Sequence, residues 1–109
     1  MTDKELLELA AKTAGIDGMR GVRMKDIDGS VIVCYHYEDD TGETYRWNPL
    51  TDDGDALRLA VKLSIWVDPS VAQTYAHHEN PVIDVWEDHN NDPYAATRRA
   101  IVQIGRAHV

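Results

Sequence analysis

Cys34 and His36 are the first residues to test for chemistry, since a thiol near an imidazole is the smallest pairing of nucleophile and base. Both fall in an extended run over 30–37, where side chains at i and i+2 point the same way but stand roughly 7 Å apart. That separation is too long for a direct hydrogen bond, so Cys34 reads as a small strand hydrophobe. No Gly-x-Ser-x-Gly elbow or comparable nucleophile motif occurs. Metal ligands are present but badly spaced. His77-His78, His89 and Glu87-Asp88 show neither Cys-x-x-Cys nor His-Glu-x-x-His spacing, and His77-His78 reads as a solvated loop pair. Asp88-x-Asn90-x-Asp92 imitates the opening of a calcium loop, but Pro93 stands where that loop needs Gly and Arg99 where it needs Glu. No metal and no other cofactor is expected.

Anion binding has two candidate residues, Arg98 and Arg99, which could meet a phosphate or carboxylate. The plainer reading is surface charge on a helix. No glycine-rich phosphate loop occurs, and Asp52-Asp53-Gly54-Asp55 puts acid where an anion cradle needs bare amides. Carboxylates are abundant, which weakens any acid–base assignment, since that work needs carboxyls held in a cleft with displaced pKa values. Trp47, Trp66 and Trp86 suit interface anchoring, but Trp is also a common core residue, and the core reading is preferred for each.

Charge decides which partners are open. The 109-residue chain carries a formal net charge of -8, which argues against a binder of nucleic-acid backbones. The acids are clustered. Residues 38–55 hold Glu38, Asp39, Asp40, Glu43, Asp52, Asp53 and Asp55 against Arg46 alone. Residues 79–92 hold Glu79, Asp84, Glu87, Asp88 and Asp92 with no Lys or Arg, whereas 93–109 hold Arg98, Arg99 and Arg106 and no acid. The length suits one domain over 1–109 that buries roughly two-thirds of its unfolded surface. Met1-Thr2-Asp3-Lys4-Glu5 opens no signal peptide, and no run approaches the ~18 apolar residues of a membrane span. With a single Cys, these features predict a soluble cytoplasmic protein without membrane contact.

The elements that must position these residues follow from pattern. Residues 3–14 are predicted helical, with Thr2 and Glu5 as a capping box and Gly15 as the stop. Asp28-Gly29 between extended runs at 19–27 and 30–37 signals a hairpin, and a short strand follows over 43–47. Both faces of 31–37 are largely apolar, so this strand is expected to be central and covered on each side. Asn48-Pro49 ends the third strand, and Thr51 is the expected cap of a second helix over 52–63, apolar almost all round and so buried. Strands are predicted at 65–67 and 82–86, with 71–76 ambiguous. A last helix should begin with Asp92 as cap and Pro93 first, run to Gly105, and bury Ala96, Ala100, Ile101 and Ile104. The class is α+β.

Two segments then carry a resemblance. Trp47-Asn48-Pro49-Leu50-Thr51-Asp52-Asp53-Gly54-Asp55-Ala56-Leu57-Arg58-Leu59 resembles the central motif of small phage and prophage proteins with the phage ABA-sandwich domain. Asp92-Pro93-Tyr94-Ala95-Ala96-Thr97-Arg98-Arg99-Ala100-Ile101-Val102 resembles the closing helix of the same family, and the first helix ending in Ala14-Gly15-Ile16 is similar too. The resemblance implies a sheet layered between helices; with the elements read above, the expected fold is a mainly antiparallel sheet of about five or six strands layered between three helices, an α/β/α sandwich. It implies a product of an infected or lysogenic bacterium and transfers no catalytic residue.

The resulting expectation is a non-enzymatic accessory protein that binds a host or phage macromolecule, with a host or phage protein as the candidate partner and no direct nucleic-acid binding. Its candidate contacts are Trp47, Asn48, Asp52, Asp53, Asp55, Arg98 and Arg99. The alternatives are a nucleotide-binding or sequestering protein, using the arginines and tryptophans, and a small hydrolase. Exposed meander edges make a homodimer a further expectation.

Overall fold

The computed structural model describes residues 2–16, 20–25, 31–38, 41–42 and 44–107. Helix α1 spans Asp3–Thr13, and strands β1 (Arg20–Lys25), β2 (Val31–Glu38) and β3 (Thr44–Arg46) follow. Helix α2 spans Asp53–Lys62, strands β4, β5 and β6 span Trp66–Pro69, Gln73–Glu79 and Val82–Asp88, and helix α3 spans Pro93–Ala107. The predicted turn residues Asp28 and Gly29 lie outside the described residues, as do the side chains of Cys34 and His36.

Local signals set the helix ends. The Thr2 hydroxyl oxygen accepts from the Glu5 amide at 3.2 Å. At the far end Gly15 takes φ +77°, while Gly15 N–H donates to Lys12 O at 3.1 Å and Ile16 N–H to Ala11 O at 2.9 Å. Those two bonds are the Schellman closure that the Gly-Ile pair predicts. Helix α2 closes the same way without a glycine: Ser64 stands at φ 54° and Ile65 N–H donates to Ala60 O at 2.9 Å. Its start departs from expectation. Asp52, not Thr51, is the cap, accepting the Asp55 amide at 2.8 Å, because Thr51 belongs to the turn built on Asn48. Helix α3 opens as predicted, with Asp92 accepting the Ala95 amide at 3.0 Å, but continues to Ala107.

The single layered sheet does not form. The six strands divide into two three-stranded antiparallel sheets, β1-β2-β3 and β4-β5-β6. Among the described residues each strand pairs only with its neighbours in sequence, and the break falls where Pro49 and helix α2 interrupt the meander. Nor is the second sheet sandwiched between helices. Helix α3 packs along all three of its strands, and α1 and α2 pack against α3. Among the described residues no helix packs on the other face of the sheet, where Trp66 and Trp86 are exposed.

The core therefore sits between the helices and that covered face. Leu6, Leu7 and Ala10 of α1, Leu59 of α2, Ala100, Ile101 and Ile104 of α3 and Ala76 of β5 are buried together. The inward stripe predicted for the last helix is buried in full. Helix α2 is less enclosed than its composition predicts, since Leu57 and Val61 are exposed and only the Ala56–Leu59–Ala60 side enters the core. Residues 71–76, ambiguous in sequence, contribute most of β5, the central strand of the second sheet.

Candidate functional site

Alternation along β5 and β6 sorts their side chains onto two unlike faces. Thr74, Ala76 and His78 turn toward α3 and are buried. Tyr75 and His77 turn the other way, and in register with them stand Trp66 of β4 and Asp84 and Trp86 of β6. Trp66 and Trp86 are 67% and 59% exposed, an unusual state for side chains this large. The Tyr75 and Trp86 rings stack at 4.9 Å and 27°, while the Trp66 ring lies 5.4 Å from His77. Asp68, Glu79 and Asp88 are exposed on the same face.

A hydrogen-bonded chain ties the aromatic rings to the acids. Asp84 Oδ1 accepts from the Tyr75 hydroxyl at 2.6 Å and from His77 Nδ1 at 2.6 Å. His77 Nε2 donates to Glu79 Oε2 at 2.7 Å. An ionised carboxylate only accepts, so an imidazole that serves both acids must carry both protons. The His77 pKa is accordingly raised above 6.5, first by the bond to Glu79 and then by that to Asp84. Asp84 is lowered below 3.8 by the bonds from Tyr75 and His77, and Tyr75 is raised above 10.0 chiefly by Asp84. The unit is an aromatic platform with carboxylates on both sides of one imidazole.

His78, its neighbour in sequence, has a structural role, its Nδ1–H donating to Pro81 O at 2.9 Å from a buried position. The two histidines are thus strand residues on opposite faces, not a solvated loop pair. Among the described residues no cluster of three or more His, Cys, Asp or Glu side chains is placed to hold a metal ion. In the calcium-loop imitation, Asn90 and Asn91 form a left-handed turn at φ 48° and 68°.

The candidates drawn from sequence do not gather in one place. Asn48, Asp52 and Asp55 build the strand-to-helix turn: Asp55 Oδ2 accepts the Asn48 amide at 3.0 Å and Asn48 Oδ1 the Leu50 amide at 3.0 Å. Asp53 and Arg98 meet at 2.7 Å beside an apolar groove of about 480 Å³ between α2, α3 and β4, and Arg98 Nε also donates to Leu50 O at 2.8 Å. Arg99 turns to α1, where it reaches Asp3 at 3.3 Å. Trp47 is only 6% exposed and lines a different cleft, of about 460 Å³, with Asp55, Arg46, Arg58 and Lys62.

Sequence reasoning missed Trp66, Tyr75, His77, Asp84 and Trp86 as a group. The signal was present as a period of two, with Tyr75-x-His77-x-Glu79 and Asp84-x-Trp86-x-Asp88 alternating with Ala76, His78, Ile83 and Val85. Among the described residues no helix is long and apolar enough to cross a membrane. Comparison of the chain with family models, with curated proteins and with solved structures gives no match.

Proposed function

We propose that this protein is a non-enzymatic binding module whose open β4-β5-β6 face docks a basic segment of a partner protein. The supporting observation is the exposure of Trp66 and Trp86 on one face with Asp68, Glu79, Asp84 and Asp88. Exposed indole and phenol rings attract guanidinium and ammonium groups, and the carboxylates add charge pairing and hydrogen bonds. An antiparallel sheet with one covered face can present such rings without distortion, because its register is fixed from behind. The resemblance to phage proteins suggests a bacterial or phage protein as the source of that segment. No nucleophile or metal chemistry enters this reading.

Titrating an Arg-Ser repeat peptide against the intrinsic fluorescence of the protein tests it. Saturable binding that weakens with added salt is the expected result. Replacement of either Trp66 or Trp86 by Ala should weaken it about two- to fivefold, the range of an exposed cation–π contact. A Glu-Ser peptide should not bind. Salt-independent binding of a neutral oligosaccharide in place of the basic peptide would replace this reading with carbohydrate recognition.

A further inference from the structure

Strand β6 is an edge of its sheet, and among the described residues no strand pairs with its outer side. In an antiparallel ladder alternate residues of such a strand turn both N–H and C=O outward, where a second strand can take them up. The other edge, β4, is poorly suited to that, with four residues and Pro69, which lacks an N–H, at its end. Strand β6 has seven residues and contains no proline. Its inner side is also short of cover. Thr74 and Ala76 of the central strand β5 are fully buried, whereas Ile83 and Val85, which face the same way, are half-buried although they pack against the core.

We propose that β6 pairs antiparallel with β6 of a second copy of this chain about a two-fold axis at Val85, joining the two sheets into one. The strand is self-complementary about that point. Val82 stands opposite Asp88, Ile83 opposite Glu87, Asp84 opposite Trp86 and Val85 opposite itself, so every residue of β6 is paired and no acid meets an acid. Like charges directly opposite are destabilising, and this excludes the neighbouring two-fold registers. One about residue 84 sets Asp84 on Asp84, and one about residue 86 sets Asp84 on Asp88. The Asp84 carboxylate is also drawn away from the seam, since Tyr75 and His77 of β5 both donate to it at 2.6 Å. On the helix side the pairing gives Ile83 and Val85 the lateral cover that they lack. On the other side it sets Trp86 of each copy beside Asp84 of the other, so that the two aromatic faces become continuous. The inference does not depend on what that face binds.

Sedimentation equilibrium of the full chain from micromolar to millimolar concentration, in about 0.15 M salt, tests the proposal. A reversible equilibrium is expected between the 12.3 kDa chain and a species of twice that mass. Val82 is exposed, so it can be changed without disturbing the core. Val82→Lys sets an ammonium opposite Asp88 on both sides of the axis and should tighten the dimer about three- to tenfold. Val82→Asp sets acid on acid and should loosen it by a similar factor. Val61, exposed on α2, controls for net charge: Val61→Lys and Val61→Asp should leave the dissociation constant within about twofold of the parent. A chain that stays monomeric at millimolar concentration overturns the proposal. So does a dimer that responds alike to changes at residues 61 and 82, or to neither, since its interface then lies elsewhere.

Discussion

His77 and His78 are adjacent in the chain, yet one faces the open side of the second sheet and the other faces α3. The same contrast holds for the whole of β5 and β6. On the covered face Thr74 and Ala76 are fully buried, and the chain His89–Thr74–Thr97–Pro93 links strand to helix. Thr97 donates to Pro93 O at 2.7 Å, so it accepts from Thr74 at 2.8 Å, and Thr74 in turn accepts from His89 Nε2 at 3.0 Å. On the open face the polar groups satisfy one another in water's presence and the largest rings stay exposed. One face holds the fold, and the other carries the exposed rings proposed above to bind a partner. Mutations should therefore separate stability from binding along a single strand.

The sharpest test of that separation is Ile104→Ala, behind the covered face. Ile104 is fully buried between α3 and the rest of the core, so truncation should cost about 2–5 kcal/mol in denaturant unfolding. Next comes Thr74→Val, which keeps the shape and removes the hydroxyl that bridges His89 and Thr97; about 1–3 kcal/mol is expected by the same measurement. Trp86→Ala, on the open side, should cost about 0.5–1.5 kcal/mol through its stack with Tyr75 while weakening the basic peptide. A loss of stability there as large as that of Ile104→Ala would erase the distinction between the faces.

The smallest effect is electrostatic. The folded pKa of His77 is raised, so its contribution is complete below about 6.5 and disappears as pH climbs through the raised value. Asp84 is lowered, so its contribution is present above its ordinary value and is lost as pH falls through the lowered one. The pair should stabilise most between those two limits. Comparing unfolding midpoints of the parent and His77→Gln from acid to alkaline pH measures this, and a constant difference across the range would contradict it.

How far this was legible in the chain depends on range. The Thr2 cap and the Gly15 closure rest on contacts within five residues, and both form as read. The Asp52 cap was missed by one position because Thr51 and Asp52 are both good caps, and only the turn around Asn48 chooses between them. The division into two sheets depends on which strands meet across tens of residues, and alternation within a strand carries no information about that. For the site, the period of two was visible in 73–88. Reading each Trp separately as a core residue concealed the face that Trp66 and Trp86 share.

The position of that face traces back to two of the smallest side chains in the protein. A Cβ built on Gly105 of α3 would stand 3.3 Å from the Cβ of Ala10 on α1, so the helices cross almost backbone to backbone. Neither position has slack, and each is already near the lower limit of side-chain size. A side chain added at residue 105 therefore needs Ala10 to give way by a few tenths of an ångström. Enlarging either one would push α3 away from α1, and with it the sheet that α3 supports.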